Sequence, residues 1–362
     1  MKNFYNNFTV IILLTVFIFS VSKNSIAGNE DRTGQAGGFE LLINPWGRSS
    51  GWGLSNSSSI RGIESTFLNI AGLAFTPKTE VIFDRTQWLK GSGVSVNSFG
   101  LSQRLGESGG VLGLSLMTMS FGDIEITQTD LPDGGIGKFK PSFSNIGLAY
   151  SKAFSDNIYG GLNFKVISEA ISDAKASAIA LDAGIQYVTG EQQQIKFGVS
   201  LKNVGSKLRF SGDGLKIRGY LKPEDPNQIT LQQNSADYEL PSLINIGASY
   251  DFLFFGAEDS TKADHRVTIA ANFTSNSFSK DQYSIGVEYS LKSFLMLRGG
   301  YVFEKEIYDN AKNTNAFTGP CAGLTVEIPM NKEKSTTFGV DYSYRATTAF
   351  EGTHSFGIRI NL

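Results

Sequence analysis

The sequence is poor in the side chains that most often build catalytic and metal centres. Among 362 residues it has two histidines, His265 and His354, and one cysteine, Cys321. A lone cysteine forms no internal disulfide, and two histidines are too few for a His-rich metal site. No local pattern marks a nucleophile turn. We therefore predict that the protein is not an enzyme and binds neither a cofactor nor a metal.

The chain also has no strong excess of either charge. Lysine and arginine total 32 against 34 aspartates and glutamates, a formal net charge of −2, with both signs well mixed. Nucleic-acid-binding domains carry a basic stripe, so a nucleic-acid partner is excluded. The acidic segment Asp130 to Gly135 resembles a Ca²⁺ loop only superficially. It has too few ligands and the wrong spacing, so a Pro/Gly turn is the simpler interpretation.

Long hydrophobic runs are scarce as well. The apolar run Val10 to Val21 is about twelve residues long, too short to cross a bilayer as a helix. It follows the basic Lys2 and precedes Ser25-Ile26-Ala27, whose small residues fit a cleavage site. Residues 1–27 are predicted to be a secretory signal peptide, with an uncleaved anchor as the alternative. No later segment is apolar enough to form a membrane helix.

What the chain has in abundance is glycine and aromatic residues: 40 Gly, 27 Phe and 13 Tyr. From His354 to Leu362 every second residue is large, with Ser355, Gly357 and Arg359 among those between. A period of two is typical of a strand with one apolar and one polar face. Aromatic girdles and lumenal glycines are features of transmembrane β-barrels, whose last strand pairs with the first.

Fourteen segments show this strand pattern. They are residues 79–88, 92–104, 110–127, 141–154, 157–171, 175–189, 192–204, 240–255, 264–276, 280–291, 293–304, 317–328, 335–346 and 353–362. An even number of strands is what a closed single-chain bacterial barrel requires. We predict an all-β, 14-stranded antiparallel outer-membrane barrel over residues 77–362, with both termini periplasmic. A soluble β-sandwich is the alternative, although its strands would be shorter.

The remaining N-terminal region, residues 28–76, shows no strand alternation. Apolar residues of the stretch from Ile60 to Ala71 recur at helical spacing, which predicts a short helix that ends near Gly72. Trp46 and Trp52 are too apolar to remain exposed to water. We expect this region to plug the barrel.

Charged residues lie on the polar face of the predicted strands. They are Lys165, Asp182, Lys196, Lys202, Asp251, Glu288, Arg298, Asp341, Arg345 and Arg359. Because an unpaired charge in a confined interior is costly, we expect these groups to form pairs that fill the lumen. A substrate path along them is the alternative.

The longest predicted external loop runs from Gly205 to Glu239. It carries Arg209, Phe210, Tyr220 and Leu221, and aromatic residues beside arginine suit protein recognition. These four residues are the candidate partner-binding site. Long loops are usually functional, and a lid folded over the barrel mouth is the alternative.

The N-terminal motifs resemble those of a known family. Phe39-Glu40-Leu41-Leu42-Ile43 and Gly47-Arg48-Ser49-Ser50-Gly51-Trp52-Gly53 precede Asn69-Ile70-Ala71-Gly72-Leu73 and then a strand. This order resembles the PorV/PorQ family of Bacteroidetes outer-membrane proteins, relatives of the FadL-type fatty-acid transporters. The family motif usually has proline where this chain has Ile70. In the resemblance, Asn69, Ala71, Gly72 and Leu73 form the plug motif.

The resemblance implies a function in type IX secretion. The barrel would be a monomer in the lipid of the outer membrane, within a larger complex. It would bind a translocon protein, or the C-terminal signal domains of exported cargo, through its external loops. The alternative is FadL-like transport of hydrophobic small molecules, and a structural role in another envelope complex is a third possibility.

Overall fold

The computed structural model describes residues 30–106, 109–220, 227–255, 263–309, 311–331 and 336–362. The predicted signal peptide, residues 1–27, lies outside the described residues. None of the helices in the described ranges is long and apolar enough to cross a membrane.

Fourteen antiparallel strands form a closed barrel in the described part of the chain. They are β1 Thr79–Gln87, β2 Ser95–Arg104, β3 Val111–Ser120, β4 Ser142–Ala153, β5 Ile158–Ile171, β6 Ala174–Thr189, β7 Ile195–Gly205, β8 Leu243–Phe255, β9 Ala263–Asn276, β10 Gln282–Leu291, β11 Leu295–Glu304, β12 Phe317–Asn331, β13 Thr336–Thr347 and β14 Thr353–Asn361. Each strand pairs with its sequence neighbours, and β14 pairs with β1, Val81 lying opposite Ile360. The predicted fold class and strand count are confirmed. The predicted strand over residues 110–127 is too long. Residues 121–127 leave the barrel wall, and Ile124–Glu125 pairs with Lys138–Phe139 in a small two-stranded ribbon.

The strands bury one face and expose the other. On the outer face, Leu148, Ile185 and Ile285 are 58%, 57% and 55% exposed. On the inner face, Asp182 and Gln186 of β6 point into the lumen and are buried. Large aliphatic side chains exposed on every strand are unfavourable in water and favourable in lipid. The outer surface is therefore suited to the hydrocarbon core of a membrane.

The connections are unequal at the two ends of the barrel. Residues 121–141, 206–242 and 305–316 join strands at one end, which we call the long-loop end. At the opposite, short-turn end the connections 154–157 and 292–294 are brief. The loop 206–242 contains its own two-stranded ribbon, Lys216–Gly219 with Ile229–Gln232.

Residues 30–76, the plug, pass through the lumen. The plug consists of short turns of helix: 3₁₀ turns Glu30–Arg32, Phe39–Leu42 and Ile70–Phe75, and α-helical turns Gly47–Ser50 and Ser65–Leu68. The single helix expected over residues 60–71 is thus wrong. Asn69 is extended, with φ −153° and ψ 106°, and its side chain accepts a hydrogen bond from the Ala71 N–H. This local bond competes with helix continuation.

The plug enters at the long-loop end and leaves at the short-turn end. Arg32 forms an ion pair with Glu239 of the long loop, and the Gly37 N–H donates to the Glu239 carbonyl. The last residue, Leu362, instead donates its N–H to Thr79 at the start of β1. The described chain therefore begins and ends at opposite ends of the barrel. The placement of both termini in the periplasm stays a prediction, because residues 1–29 lie outside the described part of the chain.

Candidate functional site

The middle of the lumen is closed by contact between the plug and the wall. A Cβ added to Gly51 would lie 2.8 Å from Gly323 Cα, and one added to Gly300 would lie 2.5 Å from the Trp52 carbonyl oxygen. Only glycine permits two backbones to approach this closely. Trp46 and Trp52 are buried within this contact.

Strand side chains provide hydrogen-bond partners for the irregular backbone of the plug. The Gly47 N–H donates to Asp84 Oδ1 at 2.8 Å, and the Ile63 N–H donates to Glu80 Oε2 at 2.7 Å. The Ser200 hydroxyl donates to the Leu68 carbonyl at 2.8 Å. Non-helical backbone at membrane depth requires such partners, since lipid offers none. The plug is thus bonded into the wall as well as packed against it.

The plug motif identified by the resemblance lies at the short-turn half of this contact. Asn69, Ala71, Gly72 and Leu73 are all buried. The Asn69 amide donates to the Ile185 carbonyl of β6 at 3.2 Å, and the Gly72 carbonyl accepts from the Gly62 N–H. A Cβ on Gly72 would lie 2.1 Å from the Ile60 carbonyl oxygen. A functional role for the motif beyond this packing stays a prediction.

All ten predicted lumenal charges are buried, and most of them are paired. Lys165 Nζ lies 2.7 Å from Asp182 Oδ1, and Lys196 forms an ion pair with Asp251. Arg298 Nε lies 2.6 Å from Glu288 Oε2. Arg359 contacts Asp341, Glu327 and the plug residue Glu64. These pairs offset the cost of removing charge from water.

Two of the six cations among these ten charges are exceptions. The Lys202 ammonium lies 3.9 Å from the centre of the Phe67 ring, and the Arg345 guanidinium lies 3.5 Å from that of Phe317. Within the described residues neither has a carboxylate at ion-pair distance. An aromatic face compensates a cation only in part. Both side chains line the same cavity.

That cavity, the mouth pocket, opens at the long-loop end above the plug and has a volume of about 800 Å³. Its apolar walls include Ile43, Phe67, Trp88, Met119, Leu243 and Phe317. Residues 34–40 of the plug form another part of the lining. The pocket has the size and apolar lining typical of small-molecule sites.

Three carboxylates also line the mouth pocket, and within the described residues none lies at ion-pair distance from Lys202 or Arg345. Glu169 accepts a hydrogen bond from the Tyr238 hydroxyl at 2.9 Å, and Glu304 accepts from the Thr314 hydroxyl at 2.6 Å. Burial raises the pKa of Glu40 above its usual value, although a hydrogen bond to its own backbone N–H opposes the shift. The carboxylates therefore leave Lys202 and Arg345 free to meet a ligand.

The barrel wall is interrupted beside the pocket, between β11 and β12. Pairing of these strands stops at Tyr301 opposite Pro320, so Val302 to Glu304 have no partner in β12. Pro320 has no N–H to donate, and Gly319 adopts φ 108°. A groove of about 550 Å³ lies on the outer surface here and shares Glu304 with the mouth pocket.

The predicted partner-binding residues are not gathered on one surface. Arg209 is exposed and lies 3.7 Å from Asp237, and Tyr220 is 52% exposed. Phe210 turns inward instead and packs 6.0 Å from the Tyr238 ring. Leu221 lies outside the described residues. Their role in partner binding stays a prediction.

Sequence reasoning missed the mouth pocket. It placed Lys202 and Arg345 in the lumen but treated them as members of ion pairs. The pocket is built from the plug, nine of the strands and the loops that join them, so no local pattern marks it. The doublet Gly37-Gly38 was a weak signal: a Cβ on Gly37 would lie 2.0 Å from the Tyr238 ring.

No group of three metal-binding side chains occurs among the residues that the structure describes. No protein-family model and no curated relative matches the sequence.

Solved structures match in fold. The toluene transporter TodX of Pseudomonas putida aligns with a TM-score of 0.53 and 12% identity, over 88% of this chain and 97% of that chain. A Pseudomonas aeruginosa FadL homologue aligns with a TM-score of 0.50 and 12% identity, over the same shares. None of these matches singles out the PorV/PorQ family. At such identities they show the fold alone, which is that of the FadL-like outer-membrane barrels.

Proposed function

We propose that the protein takes up a hydrophobic small molecule that carries an acidic group, and that the mouth pocket is its first binding site. The observation that carries the proposal is the pair Lys202 and Arg345, two cations without carboxylate partners in a pocket with apolar walls. The fold match to the toluene transporter TodX supports a transport role, and we propose no enzymatic one.

The pocket chemistry selects for an amphipathic ligand. Phe67 and Phe317 already hold the two cations against apolar surface, so a carboxylate bound at either cation would lie away from bulk water. A hydrogen bond to a charged group contributes about 1.5–3 kcal/mol. The hydrocarbon part would gain about 0.8 kcal/mol for each buried CH₂ group.

The route onward would run through the wall. The plug closes the lumen below the pocket, whereas the β11–β12 pairing ends beside it. A ligand that separates β11 from β12 at their long-loop ends, near Gly319, would reach the outer groove at Glu304 and then the lipid. Passage through the lumen would instead require breaking the bonds from the plug to Glu80 and Asp84.

Dodecanoate and dodecanol are suitable probes, because they differ in the acid group. We expect the detergent-purified protein to bind dodecanoate at least tenfold more tightly, as measured by calorimetry. The double variant Lys202→Met, Arg345→Met should bind both probes with the affinity of the alcohol, and Arg209→Gln is the control for charge loss at an exposed site. Equal affinities in the unaltered protein would contradict the proposal.

A second candidate is the binding of protein partners in type IX secretion, as the PorV/PorQ resemblance implies. It is supported by the closed, charge-filled lumen and by the exposed Arg209 and Tyr220 on the long loop. We place the long-loop end outside the cell and Leu362 in the periplasm. Affinity purification from the native membrane tests this candidate: a translocon barrel or exported cargo should co-purify, and normal secretion in a deletion strain would contradict it.

A further inference from the structure

A second, smaller cavity lies at the short-turn end of the lumen, on the other side of the plug. Its volume is about 60 Å³. Four cations line it, Arg48 and Arg61 from the plug and Lys196 and Arg266 from the wall. We call it the basic cavity.

The basic cavity contains more positive than negative charge. Its carboxylates are Asp251 and Glu288, so four cations face two anions and the excess is two charges. Asp251 is already paired with Lys196 and also accepts from the Thr268 hydroxyl. Glu288 is shared between Arg266, at 2.7 Å, and Arg298, at 2.6 Å. Neither carboxylate has capacity to pair fully with the plug arginines.

The two plug arginines have no ion-pair partner among the described residues. Arg61 stacks over the Phe75 ring at 3.7 Å. Glu64 of the plug accepts its hydrogen bonds from the Ser49 N–H and from Arg359, and none from Arg48. Both plug arginines therefore contribute unpaired positive charge to the basic cavity.

Two residues that line the basic cavity carry a buried polar atom without a partner. Arg266 Nε is buried and makes no hydrogen bond, and the Asn56 side-chain oxygen is also unpaired. Rotation of the Asn56 amide by half a turn would present its NH₂ group, since the two orientations are equivalent in shape. The cavity can then offer N–H donors from Asn56, Arg61 and Arg266 to one acceptor.

We propose that the basic cavity is a binding site for a small inorganic anion. A water molecule would satisfy the donors but leave the charge excess uncompensated, and an anion does both. A volume of about 10–15 Å³ is enough for one water, so this cavity has room for a halide or a small oxyanion. The anion would bridge the plug, through Arg61, to the wall, through Arg266, and so fasten the two together.

Bromide is the probe for a direct test, because its anomalous scattering identifies it in a crystal. Crystals of the full chain grown in sodium bromide should show a peak inside the basic cavity, in contact with Arg61. Absence of a peak there at saturating bromide would overturn the proposal.

Thermal unfolding gives a second measurement. The melting temperature should rise with sodium bromide and not with sodium gluconate at equal ionic strength, since gluconate is too large for the cavity. Arg61→Gln should abolish the bromide-specific rise, whereas the exposed control Arg209→Gln should retain it. An unchanged rise in Arg61→Gln would overturn the proposal.

A further variant covers the case in which Arg61→Gln fails to fold. Asn56→Asp supplies a carboxylate within the cavity and should raise the melting temperature in gluconate while removing the response to bromide. Persistence of the bromide response in this variant would also count against the site. The mouth pocket is not involved, so dodecanoate binding tests a separate hypothesis.

Discussion

The contact between the plug and the barrel wall can be tested with two neighbouring glycines of β11. A Cβ on Gly300 would lie 2.5 Å from the Trp52 carbonyl oxygen and 2.9 Å from Cys321 Sγ, whereas a Cβ on Gly299 meets nothing within 4 Å. Gly300→Ala therefore requires the plug backbone to move, and overpacking of this kind costs about 1–3 kcal/mol. Gly299→Ala should stabilise the protein by about 0.4–1 kcal/mol, because alanine restricts the unfolded chain.

The measurement is equilibrium unfolding in guanidinium chloride of both variants, refolded in the same detergent. The free energy of unfolding should differ between them by at least about 1.4 kcal/mol, with Gly300→Ala the less stable. Tryptophan emission of Gly300→Ala should shift to the red as Trp52 becomes hydrated. Equal stability of the two variants would refute the close approach of the plug to β11.

Three further predictions concern a buried charge, the interrupted wall and the mouth pocket. Lys165→Met leaves Asp182 buried without its cation and should lower the free energy of unfolding by about 3–5 kcal/mol in denaturant titrations, and the double variant Lys165→Met, Asp182→Leu should recover most of the loss. Pro320→Val restores an N–H to β12 and should slow uptake of labelled dodecanoate into cells without changing its affinity; unchanged uptake would exclude this exit. Because the folded-state pKa of Glu40 is raised, its contribution to stability is present at low pH and lost as the pH rises through that pKa. Glu40→Gln should remove this part of the pH dependence of the melting temperature. A melting temperature that depends on pH as in the unaltered protein would contradict the raised pKa of Glu40.

The strands could be predicted from the sequence because their signal is local. Residues 179–187 alternate between lipid and lumen with a period of two, and the structure places Ile179 outside and Asp182 inside. The plug has no such period. Its conformation depends on contacts with strands far along the chain, such as Gly51 with Gly323, and the turn at Asn69 is stabilised by a side-chain bond that composition does not reveal.

The pairing of the lumenal charges likewise could not be predicted from the local sequence. Their position on the inner face followed from the strand pattern, but their partners depend on which strands are adjacent and at what register. Lys165 and Asp182 lie on neighbouring strands and pair, whereas Lys202 lies against Phe67 of the plug. Phe210 likewise packs inward because the long loop folds on itself through the bridge between Leu208 and Tyr238.

The path of the plug has a consequence for assembly of the barrel. The plug runs from the long-loop end to the start of β1, and its backbone fits against glycines such as Gly300 and Gly323 with no clearance. A segment fitted this closely cannot be threaded into a finished cylinder. The plug must already lie among the β-hairpins when β14 pairs with β1. The pairing of the first and last strands therefore forms last, around the plug, which precedes both strands in the chain. Folding would then fail at closure, and not at strand formation, in variants that misplace the plug.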